Sequence, residues 1–144
     1  MSELIIRNIL PEDYEDVSGL IKELGYSYAK EEVKARIEHI SINTRDIILV
    51  AEIEGKVIGL IHASPYELLF SDSLLNLLGF IVKKEYRGTG VGHKLITKLE
   101  VVAKDLGYTG IRLTSGSERV EAHEFYIKHG YVFAKDQKNF KKCL

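Results

Sequence analysis

An apolar strand that runs through a glycine-rich turn into an amphipathic helix constrains this chain more than any other feature. Leu74 to Val82 reads as the strand, interrupted by Gly79. The turn is Arg87-Gly88-Thr89-Gly90-Val91-Gly92, and Val91, Leu95, Leu99, Val102 and Leu106 follow at helical spacing. Glycines permit positive φ and remove Cβ atoms, so successive N–H groups can converge on one anion. A helix N-terminus adds N–H groups without internal partners and a partial positive charge. The natural ligand of such a turn is a phosphate or pyrophosphate. It is not a Walker turn, because no Gly-Lys-Ser/Thr follows. Nor is it the dinucleotide fingerprint, because Gly88-Thr89-Gly90-Val91-Gly92-His93 lacks the last glycine at the required place.

The remaining segments supply the layers that such a unit needs. Leu4 to Ile9 and Ile47 to Ile53 read as strands, the second nearly all apolar and so buried on both faces. Tyr14, Val17, Ile21 and Leu24 mark one helix face after Pro11; Val33, Ile37 and Ile40 mark another. Glu54-Gly55-Lys56 turns the chain into a return strand, Val57 to Ala63. Ile111 to Thr114 is a strand, and Ser117 is placed to cap a helix whose inner face is Ala122, Phe125 and Tyr126. Tyr131 to Ala134 and Asn139 to Leu144 read as closing strands, with Phe140 and Leu144 facing inward. The expected order is βααβββαβαββ, a mixed α/β sheet. With 144 residues, two distant prolines and no Gly/Ser-rich run, residues 1–144 are expected to form a single domain.

Composition narrows the partners. Lys plus Arg number 20 against 21 Asp plus Glu, for a net charge of -1, which argues against a dedicated nucleic-acid binder. The longest mostly apolar stretch, 68–82, contains Ser71, Asp72, Ser73 and Asn76, so no membrane span is expected. The start Met1-Ser2-Glu3 lacks a basic region and an apolar signal core. The single cysteine, Cys143, excludes an internal disulfide and a Cys-rich metal cage, so a cytoplasmic setting is the default and no metal is expected.

The segment Val82-Lys83-Lys84-Glu85-Tyr86-Arg87-Gly88-Thr89-Gly90-Val91-Gly92 resembles the acetyl-CoA pyrophosphate motif of the GNAT superfamily of N-acetyltransferases: Arg or Gln, two residues, Gly, one residue, Gly or Ala. A second family motif resembles Ala122-His123-Glu124-Phe125-Tyr126 followed by Gly130-Tyr131, and the element order matches along the whole chain. Lys84 stands where the family often has proline. The variant Arg119-x-x-Ala122-His123-x-Phe125-Tyr126 is similar to a small-amine branch that includes aminoglycoside and aminoalkylphosphonate N-acetyltransferases.

This resemblance implies a GNAT-like fold with splayed central strands and acetyl-CoA as cosubstrate. The backbone of Phe80, Ile81 and Val82 would hold the pantetheine amides as an added strand does, with Gly79 marking a bulge that opens the gap. The pyrophosphate would rest on N–H groups of the turn that Arg87 leads, from Gly88 through Thr89, Gly90, Val91 and Gly92 to His93. Arg119 would touch the cofactor or an acidic group of the substrate. Tyr126 matches the family's general acid; with a pKa of about 10 it stays protonated at neutral pH and can protonate the departing thiolate.

The acceptor, a primary amine, would meet Tyr26, Tyr28, Tyr66 and Glu67, which suit a cation by aromatic face and charge. The strand position where many relatives carry a glutamate base holds Asn76, Leu77, Leu78 and Gly79. The base stays open among Glu67, His62 and a water chain, with deprotonation of the substrate into bulk solvent as the alternative. Leu68, Leu69 and Phe70 are expected to cover a neighbouring element or a homodimer contact. Two other readings stand beside small-molecule acetylation: acetylation of a protein or peptide, and a catalytically degenerate domain that only senses CoA.

Overall fold

The computed structural model describes residues 3–144 and divides into two compact units, 1–113 and 114–144. The first unit holds a sheet of strands β1 (Leu4–Asn8), β2 (Ile47–Ile53), β3 (Lys56–Tyr66), β4 (Leu74–Val82) and β5 (Ile111–Leu113) in sequential spatial order. β1 to β4 pair antiparallel, and β5 joins β4 parallel. Its helices are α1 (Tyr14–Glu23), α2 (Lys30–Asn43) and α3 (Val91–Asp105), with short 3₁₀ turns at Pro11–Asp13 and Lys84–Tyr86.

The helices cover opposite faces of the sheet. Val17 and Leu20 of α1 and Val33 and Ile37 of α2 form one core with Val50, Val57 and Ile81. On the other face, Gly59 lets α3 lie close: a Cβ there would come within 3.1 Å of Leu95 and 3.3 Å of Val91. Leu95, Ile96 and Leu99 of α3 are fully buried.

Two irregularities set which side chains share a face. β3 carries an extra residue against β2 at Ala51/Glu52, and β4 carries an extra residue, Leu78, against His62/Ala63. Leu60 packs against the α1/α2 core, and alternation puts His62, Ser64 and Tyr66 on that same face. The expected bulge beside Gly79 is therefore present, one residue earlier. β3 also runs past its expected end at Ala63, through Pro65, to Tyr66. Pro65 is tolerated because β2 pairs with β3 only as far as Ala63, so that side of β3 needs no further donor.

The second unit contains α4 (Val120–Lys128). Two sequence expectations fail here. Ser117 does not cap α4: the helix begins after Arg119, with no side-chain cap. The closing strands expected at 131–134 and 139–144 do not form, and no helix or strand follows α4. Strands need a ladder partner, and this unit offers only one helix. Phe140 and Leu144, expected to face inward, are 87% and 114% exposed, and Val132 and Phe133 are also exposed. The observed order is thus βααβββαβα, still a mixed α/β fold.

Among the described residues no helix is long and apolar enough to cross a membrane.

Candidate active site

The first element of the site is an open strand edge. β5 pairs with β4 only over Leu75–Leu77. Beyond the Leu78 bulge, Gly79–Val82 continue with β3 on one side and, among the described residues, no strand on the other. The sequence expectation of splayed strands is met by this short ladder. Phe80, Ile81 and Val82 all lie on the unladdered stretch, where an extended ligand can add as a strand.

The turn follows at once. Arg87 donates from Nε to the Val82 carbonyl at 2.9 Å, and its Nη2 stands 3.6 Å from the Glu23 carboxylate of α1. Glu23 also accepts the Lys84 N–H at 3.0 Å. Arg87 thus pins the end of β4 to the start of the turn. Thr89 donates its hydroxyl to the Tyr86 carbonyl. Gly88 and Gly90 have φ of 78° and 92°, in the left-handed region that side chains disfavour. A Cβ on either would meet nothing within 4 Å, so the space before the turn is open. Gly90 caps α3 without a side-chain bond, and the first turn of α3 carries no acid, whereas α1, α2 and α4 each carry at least one. Glycine conformation, open space and an uncompensated helix end fit a pyrophosphate at 88–93.

A third cluster lies on the α1/α2 face of the sheet, beyond the apolar core. His62 Nε2 is 2.8 Å from Asp46 Oδ2, and both side chains are mostly buried. His62 sits opposite Gly79, beside the bulge. Farther along, Arg112 of β5 donates from Nη1 to Asn76 Oδ1 at 2.7 Å, and its guanidinium lies 4.5 Å from the centre of the Tyr66 ring. Sequence reasoning left the base open and did not single out Asp46 or Arg112. Both contacts depend on sheet register, which joins residues 16 and 36 apart in sequence.

The other expected acceptor residues fall as follows. Tyr26 and Tyr28, between α1 and α2, are exposed. Tyr66 already carries Arg112 on one ring face. The exposed Glu67 accepts the Ser73 hydroxyl at 2.8 and 3.0 Å. Leu69 and Phe70 are exposed and cover nothing within the chain.

In the second unit, Tyr126 is buried on α4, edge-on to Phe125 and Tyr131 at centroid distances of 5.7 and 5.9 Å. Burial pushes its phenol above the usual tyrosine range, and the charge of Arg119 pulls it partly back. His123 lies within hydrogen-bond distance of the Gly116 carbonyl at 2.9 Å, which ties its ring to the loop before α4. Ser115 Oγ, which sequence reasoning missed, is the one buried side-chain polar atom among the described residues without a partner.

The sequence matches the family model described as Acetyltransferase (GNAT) family over residues 5–131. The chain belongs to the acetyltransferase (GNAT) family. It is 30% identical over 91 residues to N-acetyltransferase family 8 member 2 of Rattus norvegicus, a match covering 62% of this chain and 40% of that protein. The chain thus spans about two fifths of that curated relative. Among solved structures it resembles the aminoglycoside N-acetyltransferase AAC(6')-Iy in complex with CoA, with TM-score 0.88 and 20% identity over 99% of this chain and 96% of that one. Glucosamine-6-phosphate N-acetyltransferase from Arabidopsis thaliana superposes with TM-score 0.84 at 23% identity, covering 96% and 98% of the two chains.

Proposed function

We propose that this chain transfers the acetyl group of acetyl-CoA to a primary amine of a small molecule, by direct attack in a ternary complex. The observation that carries this reading is the open edge of β4 leading into a glycine turn at the uncompensated N-terminus of α3. Residues 1–144 act as one N-acetyltransferase domain, since the family match runs from residue 5 to residue 131 and so includes α4. The CoA complex of the structural neighbour is a further support.

Acetyl-CoA supplies an acyl carbon activated as a thioester. Phe80, Ile81 and Val82 offer backbone groups to the pantetheine arm, and Gly88 to His93 hold the pyrophosphate. Arg87 keeps these two segments in register. An alkylammonium acceptor must lose a proton, at a cost of about 4 kcal/mol at pH 7. His62, oriented by Asp46, takes that proton. The nitrogen then bonds to the acyl carbon as the carbon–sulfur bond breaks, and the new amide nitrogen releases its second proton to solvent. Tyr126 gives its phenolic proton to the departing sulfur and regains one from solvent. Its raised pKa keeps that proton available at neutral pH. Arg119 contributes positive charge beside Tyr126. Tyr26, Tyr28, Tyr66 and Glu67 belong to the acceptor side of this reading. A cytoplasmic setting suits the free, exposed Cys143, and a homodimer would cover Leu69 and Phe70.

The experiment pairs a melting curve with thiol release. Acetyl-CoA at 100 times its dissociation constant should add about 2.7 kcal/mol of stability, and amines should release free CoA. A melting curve unmoved by millimolar acetyl-CoA rejects the cofactor. Binding without turnover on any amine or peptide leaves only the sensor reading, and turnover confined to peptides makes the acceptor a protein.

A further inference from the structure

The site's floor holds a fixed cation that the acetyl-transfer step does not use. Arg112 stands on the edge strand β5, half-buried, with one N–H on Asn76 Oδ1 at 2.7 Å and its plane over Tyr66 at 4.5 Å. Among the described residues no carboxylate pairs with it. An arginine held on two sides, with donors left over, is a preorganised fork for an oxyanion. The same arrangement is a poor seat for a polycation, since the Tyr66 face toward Arg112 is occupied and the charge there is positive.

Sheet register sets the spacing to the reacting end. Asn76 lies opposite Arg112 on one side and Ser64 on the other, while Gly79 lies opposite His62. His62 and Ser64 are successive residues on one face of β3, one pleat repeat of about 7 Å apart. The acidic partner Asp46 is at the His62 end and the unpaired guanidinium is at the other. The floor is therefore polarised, negative beside His62, where the acetyl-transfer reading puts the ammonium, and positive beside Asn76 and Tyr66.

We propose that the acceptor is a small primary amine that also carries an oxyanion, carboxylate or phosphonate, with Arg112 as the specificity-determining residue. This rests on the acetyl-transfer reading for the placement of the amine beside His62.

The test compares γ-aminobutyrate and aminopropylphosphonate with butylamine and spermidine, on wild type and Arg112→Gln. Binding is followed by calorimetry with and without CoA, so the anion preference is read even if the acetyl-transfer reading fails; turnover is followed by thiol release. At least one of the two oxyanion-bearing amines should bind wild type roughly 10- to 100-fold more tightly than butylamine. The stronger of the two names the oxyanion. Arg112→Gln, which keeps a donor for Asn76, should bring that ratio near unity. Wild type that favours butylamine or spermidine overturns the proposal and leaves acetyl transfer standing. So does a preference that survives in Arg112→Gln.

Discussion

Two ends of one sheet face behave differently in this molecule. At the end where Val57, Leu60 and Ile81 lie, the face is roofed by α1 and α2, and these three side chains are apolar and buried or partly buried. Two residues farther along β3, the same face carries His62, Ser64 and Tyr66, joined by Asn76 and Arg112 from the neighbouring strands. Alternation is unchanged across the boundary; what changes is the helical cover and, at Leu78, the register of β4. The apolar end supplies stability by area removed from water. The polar end gives up backbone regularity at Leu78 and buries polar groups, a combination that functional sites often show.

Substitutions at the two ends should therefore separate stability from turnover. The largest effect is expected at His62→Gln, which keeps a polar side chain but removes the proposed proton acceptor. Turnover should fall by roughly 10²- to 10⁴-fold with little change in melting temperature. A normal rate in this variant breaks the comparison. Tyr126→Phe should lose a similar factor while acetyl-CoA still raises the melting temperature, since only a hydroxyl is removed.

Next is Leu20→Ala in the roofed end, where the side chain is 2% exposed. A loss of about 2–5 kcal/mol is expected, with turnover per folded molecule unchanged. Stability retained there would mean that the roofed end is not the stabilising half. Asp46→Asn should then reduce turnover by roughly 10- to 100-fold, the worth of a charge-assisted bond that sets the ring. An unchanged rate would make Asp46 a bystander.

The smallest effects are in pH dependence. Burial holds the Tyr126 phenol above its ordinary value. A raised folded pKa means its stabilising contribution is complete below about pH 10 and is lost only as pH rises through the folded value. The rate should therefore show no alkaline decline from this acid below about pH 10. At the acid side, burial raises the Asp13 carboxyl, but hydrogen bonds from Arg7 and the Leu10 N–H outweigh it and hold it below its usual value. That contribution is present above about pH 4 and is lost as pH falls through the folded value. Arg7→Ala, which frees Asp13 and Glu52, should cost about 1–2 kcal/mol by chemical denaturation at pH 7.

Much of the fold was legible because local chemistry decides it. β2 and β4 fall where continuous apolar runs placed them, and the glycine turn sits between β4 and α3 as read. β3 runs on past its expected end at Ala63, through Pro65, because β2 pairing stops at Ala63 and that side needs no further donor. The closing strands were misread because Phe140 and Leu144 fit a period of two, but a pattern does not supply a partner. The cofactor side of the candidate site was visible as a contiguous motif. The His62–Asp46 and Arg112–Asn76 contacts were not, because each joins strands whose register no local pattern encodes.

The central claim is that the edge of β4 and the turn at α3 form one cofactor cradle. Backbone amide resonances followed during titration with acetyl-CoA test it most directly. The account predicts saturable shifts concentrated at Ile81, Val82 and Gly88 to Gly92, abolished in Gly90→Val. Saturable shifts confined to other parts of the chain, or unchanged spectra at millimolar acetyl-CoA, would contradict it.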